Sequence, residues 1–293
     1  MKSILSYENR GKWGDNKYRG NCTGHLIKDL LLFYKPKQFV EMFAGGGTGF
    51  EIAKELGYEN SIHLDLNGLY GPKFNALVDD IPTGSDFVFS HPPYHNMIVY
   101  SGEQWGDEPH SDDLSRCLSY EEFIRKLDIV TCKIYNSLLN GGRHALLIGD
   151  MRKNGQYYSM IKDLTWYGDV ESHIIKAQHN TVSGRIAYKN QNFIPIVHEH
   201  LIVFKKNTIW GIPIRYTKRI VKSLKESKFA TWRDLVQAAL QELKGESNLK
   251  ALYEILEPTD KAKNNKHYKE KIRQVLQLHD EFISVERGVW KLA

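Results

Sequence analysis

No run of apolar residues in this 293-residue chain is long enough to span a bilayer, and Met1 to Arg10 lacks the apolar stretch of a secretory leader. A cytoplasmic protein without membrane association is therefore expected. Cysteine is scarce as well: Cys22, Cys117 and Cys132 stand far apart with no Cys-x-x-Cys spacing, which argues against a disulfide framework and a thiolate zinc site. No Gly-Lys-Ser or Gly-Lys-Thr accompanies the glycine-rich turn, so a P-loop is disfavoured. Internal repeats and low-complexity tracts are also missing. Hydrophobic residues at 41% and charged residues at 26% then point to an ordinary globular chain, long enough for one large core and one small second domain.

The formal charge of +5 is small but unevenly placed. From Lys205 to the end there are 19 Lys and Arg against 11 Asp and Glu, leaving 21 against 24 for residues 1 to 204. Duplex DNA presents about one negative charge per 1.7 Å, so a local basic surface attracts it even when the whole-chain charge is low. A solvated helical face accounts for the same charge.

Periodicity gives the fold class. Gln38 to Met42 reads as a strand, Phe43 to Gly49 as a glycine turn and Phe50 to Leu56 as a helix. Short strands follow at Ser61 to Leu64, ending at Asp65, and at Asp86 to Ser90, ending at His91-Pro92-Pro93-Tyr94. Tyr120 to Leu139 has the apolar spacing of an amphipathic helix that Gly141-Gly142 would end, and the strand His144 to Ile148 delivers Gly149-Asp150. Met151 to Asn192 shows no strong period, and Phe193 to Phe204 reads as a last extended run. Strands that alternate with helices and empty into polar loops predict an α/β, Rossmann-like parallel sheet with its site at the strands' C-terminal ends.

Two constellations carry chemistry. Ala44-Gly45-Gly46-Gly47-Thr48-Gly49 permits positive φ and close backbone approach beside a helix N-terminus, which suits a cofactor, although a structural turn has the same composition. Asp65, some 20 residues on at the end of the next strand, has the placement of an acid that accepts from ribose hydroxyls. In His91-Pro92-Pro93-Tyr94 the prolines fix φ and remove two donors, leaving a rigid corner with a free carbonyl at Pro92 and an aromatic face at Tyr94 suited to stacking on an extruded base. His198 and His200 share a strand face, but no third ligand is evident and no metal site is expected.

Together these motifs resemble those of the amino-group DNA methyltransferases, the adenine-N6 and cytosine-N4 enzymes. Glu41-Met42-Phe43-Ala44-Gly45-Gly46-Gly47-Thr48 is similar to their Asp-Pro-Phe-x-Gly-x-Gly-Thr motif, with Glu for Asp and Met for Pro. His91-Pro92-Pro93-Tyr94 is similar to their Asp/Asn/Ser-Pro-Pro-Tyr motif, with His91 in the first place and Ser90 directly before it. Arg19 to Gly24, with Asn21, Cys22 and Thr23, resembles the segment that packs over the methionine part of the cofactor. Asp65 and Asp79 fall where adenosine-contacting acids are expected. Tyr100-Ser101, Asp113-Leu114-Ser115, Gly149-Asp150-Met151-Arg152 and Val197-His198-Glu199-His200 are similar to one branch of these enzymes. The resemblance covers residues 17 to 206 and implies a class I methyltransferase sheet that uses S-adenosylmethionine. It implies direct methyl transfer to an exocyclic amine held by Ser90, His91 or both and by the Pro92 carbonyl, with Pro93 and Tyr94 completing the site. Adenine N6 is favoured over cytosine N4, since Ser90 stands one place away from the Ser-Pro-Pro pattern of the cytosine enzymes.

Three domains are expected: a methyltransferase domain over 1–206, a basic connector over 207–229 and a small domain over 230–293. The last reads as three helices and a β-hairpin and resembles the winged helices appended to restriction-modification proteins. That resemblance implies that His267 to Leu278 enters the major groove, presenting Lys269, Lys271, Arg273 and Gln274, with Arg287 at the wing tip. A packing or dimerisation module is the alternative. Double-stranded DNA is the expected partner; a cognate restriction endonuclease is a further candidate, whose presence the sequence does not give. An RNA or protein methyltransferase with the same Pro-Pro-Tyr site, and a non-catalytic DNA-binding regulator, are the competing readings.

Overall fold

The computed structural model describes residues 1–106, 108–179, 193–208, 211–215 and 230–293. The chain divides into two compact units, Met1–Thr217 and Lys218–Ala293. Most of the basic connector lies outside the described residues.

The first unit is built on a seven-stranded sheet. Its strands are β1 (Ile4–Ser6), β2 (Phe39–Met42), β3 (Ile62–Leu64), β4 (Ser85–Ser90), β5 (Leu138–Ile148), β9 (Asp169–Ala177) and β10 (His198–Lys205), in the order β1-β9-β10-β5-β4-β2-β3. The pairs β2–β3, β2–β4, β4–β5 and β1–β9 are parallel, whereas β10 runs antiparallel to both β5 and β9. This is a Rossmann-like α/β sheet with one reversed strand.

Alternation along the strands explains why both faces are covered. Phe87, Phe89, Ala145, Leu147, Leu201 and Val203 pack with Leu26, Ile27, Leu30 and Leu31 of α1 (Gly24–Tyr34) and with Ile52 and Ala53 of α2 (Thr48–Glu55). The intervening residues Leu146, Ile148, Ile202 and Phe204 pack with Phe123 and Leu127 of α3 (Tyr120–Ser137). Ser119 caps α3 by accepting the Glu122 N–H at 3.1 Å, and Glu121 and Glu122 complement the helix dipole in its first turn.

Two expectations need correction. Gly141-Gly142 do not end α3, which stops at Ser137; they lie inside β5, where the Gly141 N–H donates to Lys206 O at 2.6 Å and the Lys206 N–H to Gly142 O at 2.9 Å. The cross-strand bonds to the chain beyond β10 claim these residues for the sheet. Met151 to His179 is also more regular than its period suggests, while residues 180–192 lie outside the described residues. It holds the hairpin β6 (Met151–Lys153) and β7 (Gln156–Tyr158), the short α4 (Met160–Asp163), β8 (Trp166–Tyr167), which pairs with β11 (Ile214–Arg215), and the nine-residue β9. Strand β9 is largely polar because much of it is exposed and because it carries a buried lysine.

The second unit holds α5 (Trp232–Glu242), β12 (Glu246–Asn248), α6 (Leu249–Leu256), α7 (Asp260–Lys263), α8 (Tyr268–Leu278), β13 (Phe282–Glu286) and β14 (Val289–Leu292). Leu235, Val236, Leu240, Leu252, Leu256, Ile272 and Leu276 form its separate core. The three strands pair antiparallel in the order β12-β14-β13. Thr231 and Asp234 make a reciprocal capping box at the start of α5.

Candidate active site

Strand β2 empties into a turn that the rest of the unit holds open. The Ala44 N–H donates to Leu64 O at 3.2 Å and the Gly47 N–H to Ala44 O at 2.9 Å. Gly47 stands in the left-handed region at φ 79°, and a Cβ there would meet the Tyr70 ring at 2.5 Å, so only glycine fits. Asp65 braces the turn from the end of β3: Oδ2 accepts the Gly45 N–H at 2.8 Å and Oδ1 the Asn67 N–H at 2.9 Å. Burial pushes the Asp65 carboxyl up to about 6 against the pull of these two backbone donors. From above, Asn21 Oδ1 accepts the Gly46 N–H at 3.2 Å. Below the turn the buried Glu41 carboxylate lies 2.7 Å from His63 Nδ1, whose Nε2 is 2.9 Å from Ser61 Oγ.

Around this turn lies a cavity. Of the expected cofactor residues, Asn21, Cys22, Glu41, Phe43, Ala44, Gly45, Thr48 and Asp65 line it. The Thr48 hydroxyl is buried with no hydrogen-bond partner among the described residues. Burial drives the Cys22 thiol up to about 12, so it is a neutral lining group. Three expected residues sit elsewhere. Thr23 lines the neighbouring cleft, and Gly47 stands behind Tyr70. Asp79 is exposed and closes its own turn, accepting the Asn75 N–H at 2.7 Å. Asn75, Trp105 and Asp112, which carried no sequence signal, line the cavity with the expected set, and Asn75 Nδ2 donates to Asp112 at 2.7 Å.

The Pro-Pro-Tyr corner follows β4 immediately. His91 lines both the turn cavity and an adjoining one; Pro93 lines the first, and Pro92 and Tyr94 the second. Ser90 belongs to the opposite face. Its hydroxyl is 2.6 Å from His144 Nε2 in the interior, because residue 90 shares the parity of Val88 and residue 144 that of Leu146. Burial lowers His144 to about 3 and His91 to about 4, so both rings are neutral near pH 7; for His91, nearby Glu199 opposes the shift and Lys176 adds to it. The Tyr94 hydroxyl donates to Glu199 Oε1 at 2.6 Å and lies 3.0 Å from His91 Nε2.

Three residues of this corner were missed as site residues in the sequence. Lys176 and Glu199, register partners on β9 and β10, form a buried ion pair behind Tyr94. Burial works to raise the Glu199 carboxyl, but Lys176, His91 and the donated hydrogen bonds outweigh it and hold the group below its ordinary range. Gly149 lets the Tyr94 ring close in, since a Cβ there would lie 2.6 Å from Cε2. The polar β9 hid Lys176. The strand assignment put Glu199 on a different face from His198 and His200, which was the available signal. Of those histidines, His200 lies 3.4 Å from Asp150 and 3.1 Å from His173.

Tyr94, Lys176 and Glu199 also line a wide cleft whose other walls carry Arg10, Arg19 and Arg152. Arg152 packs over the rings of Tyr157 and Phe193 at 5.3 and 5.5 Å. Among the described residues, no group of three or more His, Cys, Asp and Glu is placed to hold a metal ion.

In the second unit, Ile272, Val275 and Leu276 turn α8 toward its core and leave Lys269, Arg273 and Gln274 exposed, with Lys271 half-buried. Lys269 lies over the Tyr253 and Tyr268 rings at 5.5 and 5.7 Å, Lys271 Nζ donates to Gln274 Oε1 at 2.7 Å, and Arg273 pairs with Glu270 at 3.0 Å. Arg287 is exposed at the two-residue turn between β13 and β14.

No family model matches the chain, and no curated protein matches it. Several solved structures are similar in part. TrmN from Thermus thermophilus is 16% identical over 64% of this chain and 50% of its own, with a TM-score of 0.37. TehB from Haemophilus influenzae is 12% identical over 62% of each chain, with a TM-score of 0.37. TTHA0409, also from Thermus thermophilus, a candidate DNA modification methylase solved with S-adenosyl-L-methionine, is 17% identical over 62% of this chain and 59% of its own, with a TM-score of 0.29. The chain thus spans between half and about three-fifths of the length of these structures. Its own strand order and pairing define the fold independently of them.

Proposed function

We propose that this chain is an S-adenosylmethionine-dependent methyltransferase that modifies an exocyclic amino group of a base in DNA. One observation carries the reading: a cavity built on a glycine turn and an open, arginine-walled cleft meet at the Pro-Pro-Tyr corner, with His91 and Tyr94 between them. Direct transfer requires that arrangement, a cofactor enclosed on one side and an amine admitted from the other.

The residues around the turn fit the cofactor. The Thr48 hydroxyl, unpartnered among the described residues, the Asp65 carboxylate and the buried Glu41 offer acceptors along a cavity that Ala44 and Gly45 also line. When bound, the cofactor supplies an electrophilic methyl group. The protein's own contribution is placement: His91, neutral at pH 7, accepts a hydrogen bond from one amine N–H, the Pro92 carbonyl accepts one from the other, the Tyr94 ring borders the base, and the one proton that the methylated amine sheds after attack leaves to solvent. Adenine N6 is favoured over cytosine N4, because the serine that would supply the Ser-Pro-Pro pattern turns away to His144.

The basic stretch Lys205 to Lys228, with eight Lys and Arg against one acidic residue, and the Lys and Arg of α8 support DNA as the substrate. The expected three helices are α5, α6 and α8, with the one-turn α7 added between the last two, and the expected hairpin β13–β14 is joined by β12 in a three-stranded sheet; a winged helix with α8 and Arg287 as its nucleic-acid face is compatible with this order. Mass spectrometry of nucleosides from DNA incubated with the protein and labelled cofactor should show N6-methyladenine. N4-methylcytosine alone would reassign the base, and label entering only RNA or protein would reassign the substrate class. Removing Ala230 to Ala293 should weaken DNA binding and flatten its salt dependence while sparing cofactor affinity; unaltered DNA affinity across a salt titration would make the unit a packing module.

A further inference from the structure

Lys176 and Glu199 are almost wholly buried, at 7% and 4% exposure, in a sheet where well-packed apolar residues would cost less desolvation. Their geometry gives them a task. Lys176 Nζ donates to Glu199 Oε2, which leaves Oε1 to accept the Tyr94 hydroxyl at 2.6 Å. A phenol has one proton to donate, and here it is donated to the carboxylate. The Tyr94 oxygen, 3.0 Å from His91 Nε2, can then only accept from the imidazole. The ring proton therefore sits on Nε2, and Nδ1 keeps its lone pair.

We infer that the buried Lys176–Glu199 pair is a positioning device that acts through Tyr94 to fix the tautomer of His91, keeping Nδ1 as the acceptor for the substrate amine. The inference rests on the role proposed for His91. Polarity runs one way along the chain of four groups: ammonium to carboxylate, phenol to carboxylate, imidazole to phenol. Reversing one link reverses those beyond it.

Glu199→Gln makes that reversal. Lys176 can only donate, so the amide oxygen turns to Lys176 and the amide N–H2 turns to Tyr94. The phenol must then donate to His91 Nε2, and the ring proton moves to Nδ1, where it faces the amine donor to donor. Adding Lys176→Met frees the amide oxygen to face Tyr94 again and restores the original direction.

Long-range proton–nitrogen NMR of histidine-labelled protein should show His91 protonated at Nε2 in the native chain, at Nδ1 in Glu199→Gln and at Nε2 again in Lys176→Met/Glu199→Gln. Turnover should fall about tenfold or more in the single variant, with KM for DNA and cofactor affinity little changed, and should largely return in the double variant. An Nδ1-protonated native ring, a tautomer unmoved by Glu199→Gln, or a double variant no more active than the single one overturns the inference. The NMR readout needs no methyl transfer, so it stands apart from the substrate assignment.

Discussion

Gly149→Ala tests the role proposed for the Pro-Pro-Tyr corner without altering any group that carries charge or a titratable proton. Gly149 lies at the end of β5 outside the left-handed region, so alanine fits its backbone, but the new Cβ would lie 2.6 Å from Tyr94 Cε2 and 3.1 Å from Cδ2. Carbon atoms in contact keep about 3.5–4.0 Å, so the ring must withdraw by roughly 1 Å. Its hydroxyl has no slack for that movement. From 2.6 Å to Glu199 and 3.0 Å to His91, such a shift takes at least one of the two contacts past hydrogen-bond range. A hydrogen bond to a charged group contributes about 1.5–3 kcal/mol, and about 1.4 kcal/mol corresponds to a factor of ten in rate. Single-turnover methyl transfer should therefore slow about ten- to a hundredfold. Calorimetry should give a nearly unchanged cofactor affinity, because Gly149 lines the cleft and not the turn cavity. A variant that melts as a folded protein and still turns over within about threefold of the native rate would refute the role given to the Tyr94 position.

Two further outcomes follow from the titration and packing of named groups. Asp65, pushed up to about 6 by burial, should make cofactor affinity fall about tenfold between pH 7 and pH 5, since only about a tenth of the carboxylate is then ionised to accept hydroxyl hydrogens. The sign for folding is opposite: a raised pKa means that the native state binds a proton the unfolded chain does not, so this group's contribution to stability grows as pH falls from about 6 toward 4. Calorimetry on native and Asp65→Asn protein checks the first statement, and a pH-independent native affinity would contradict it. Ser90→Ala should lower stability by about 1–2 kcal/mol through loss of the buried bond to His144, with turnover nearly intact. Denaturant titration and a turnover assay separate the two effects, and a large loss of turnover would return Ser90 to the site.

Those parts of the site whose signals are local can be read from residue order alone. A strand ending in Gly45 to Gly47 and another ending at Asp65 announced the turn cavity, and the alternation of Phe87, Val88 and Phe89 and of Ala145, Leu146 and Leu147 announced a sheet covered on both faces. The Pro92-Pro93 corner was legible because proline restricts the backbone wherever it stands. Parity and pairing lay beyond local reading. That His91 faces the cavities while Ser90 meets His144 follows from which face β4 turns to α3. That Asp79 lies outside the cavity while Asp112 lines it follows from Asn75, whose backbone N–H donates to Asp79 and whose side-chain Nδ2 donates to Asp112. Lys176 and Glu199 are 23 residues apart, and only the antiparallel register of β9 and β10 sets them opposite each other behind Tyr94. Backbone preference travels a few residues along the chain, whereas the hydrogen bonds that orient His91 cross from β4 to β10 and β9, so residue types could suggest the chemistry of the corner and only the packed sheet could decide its direction.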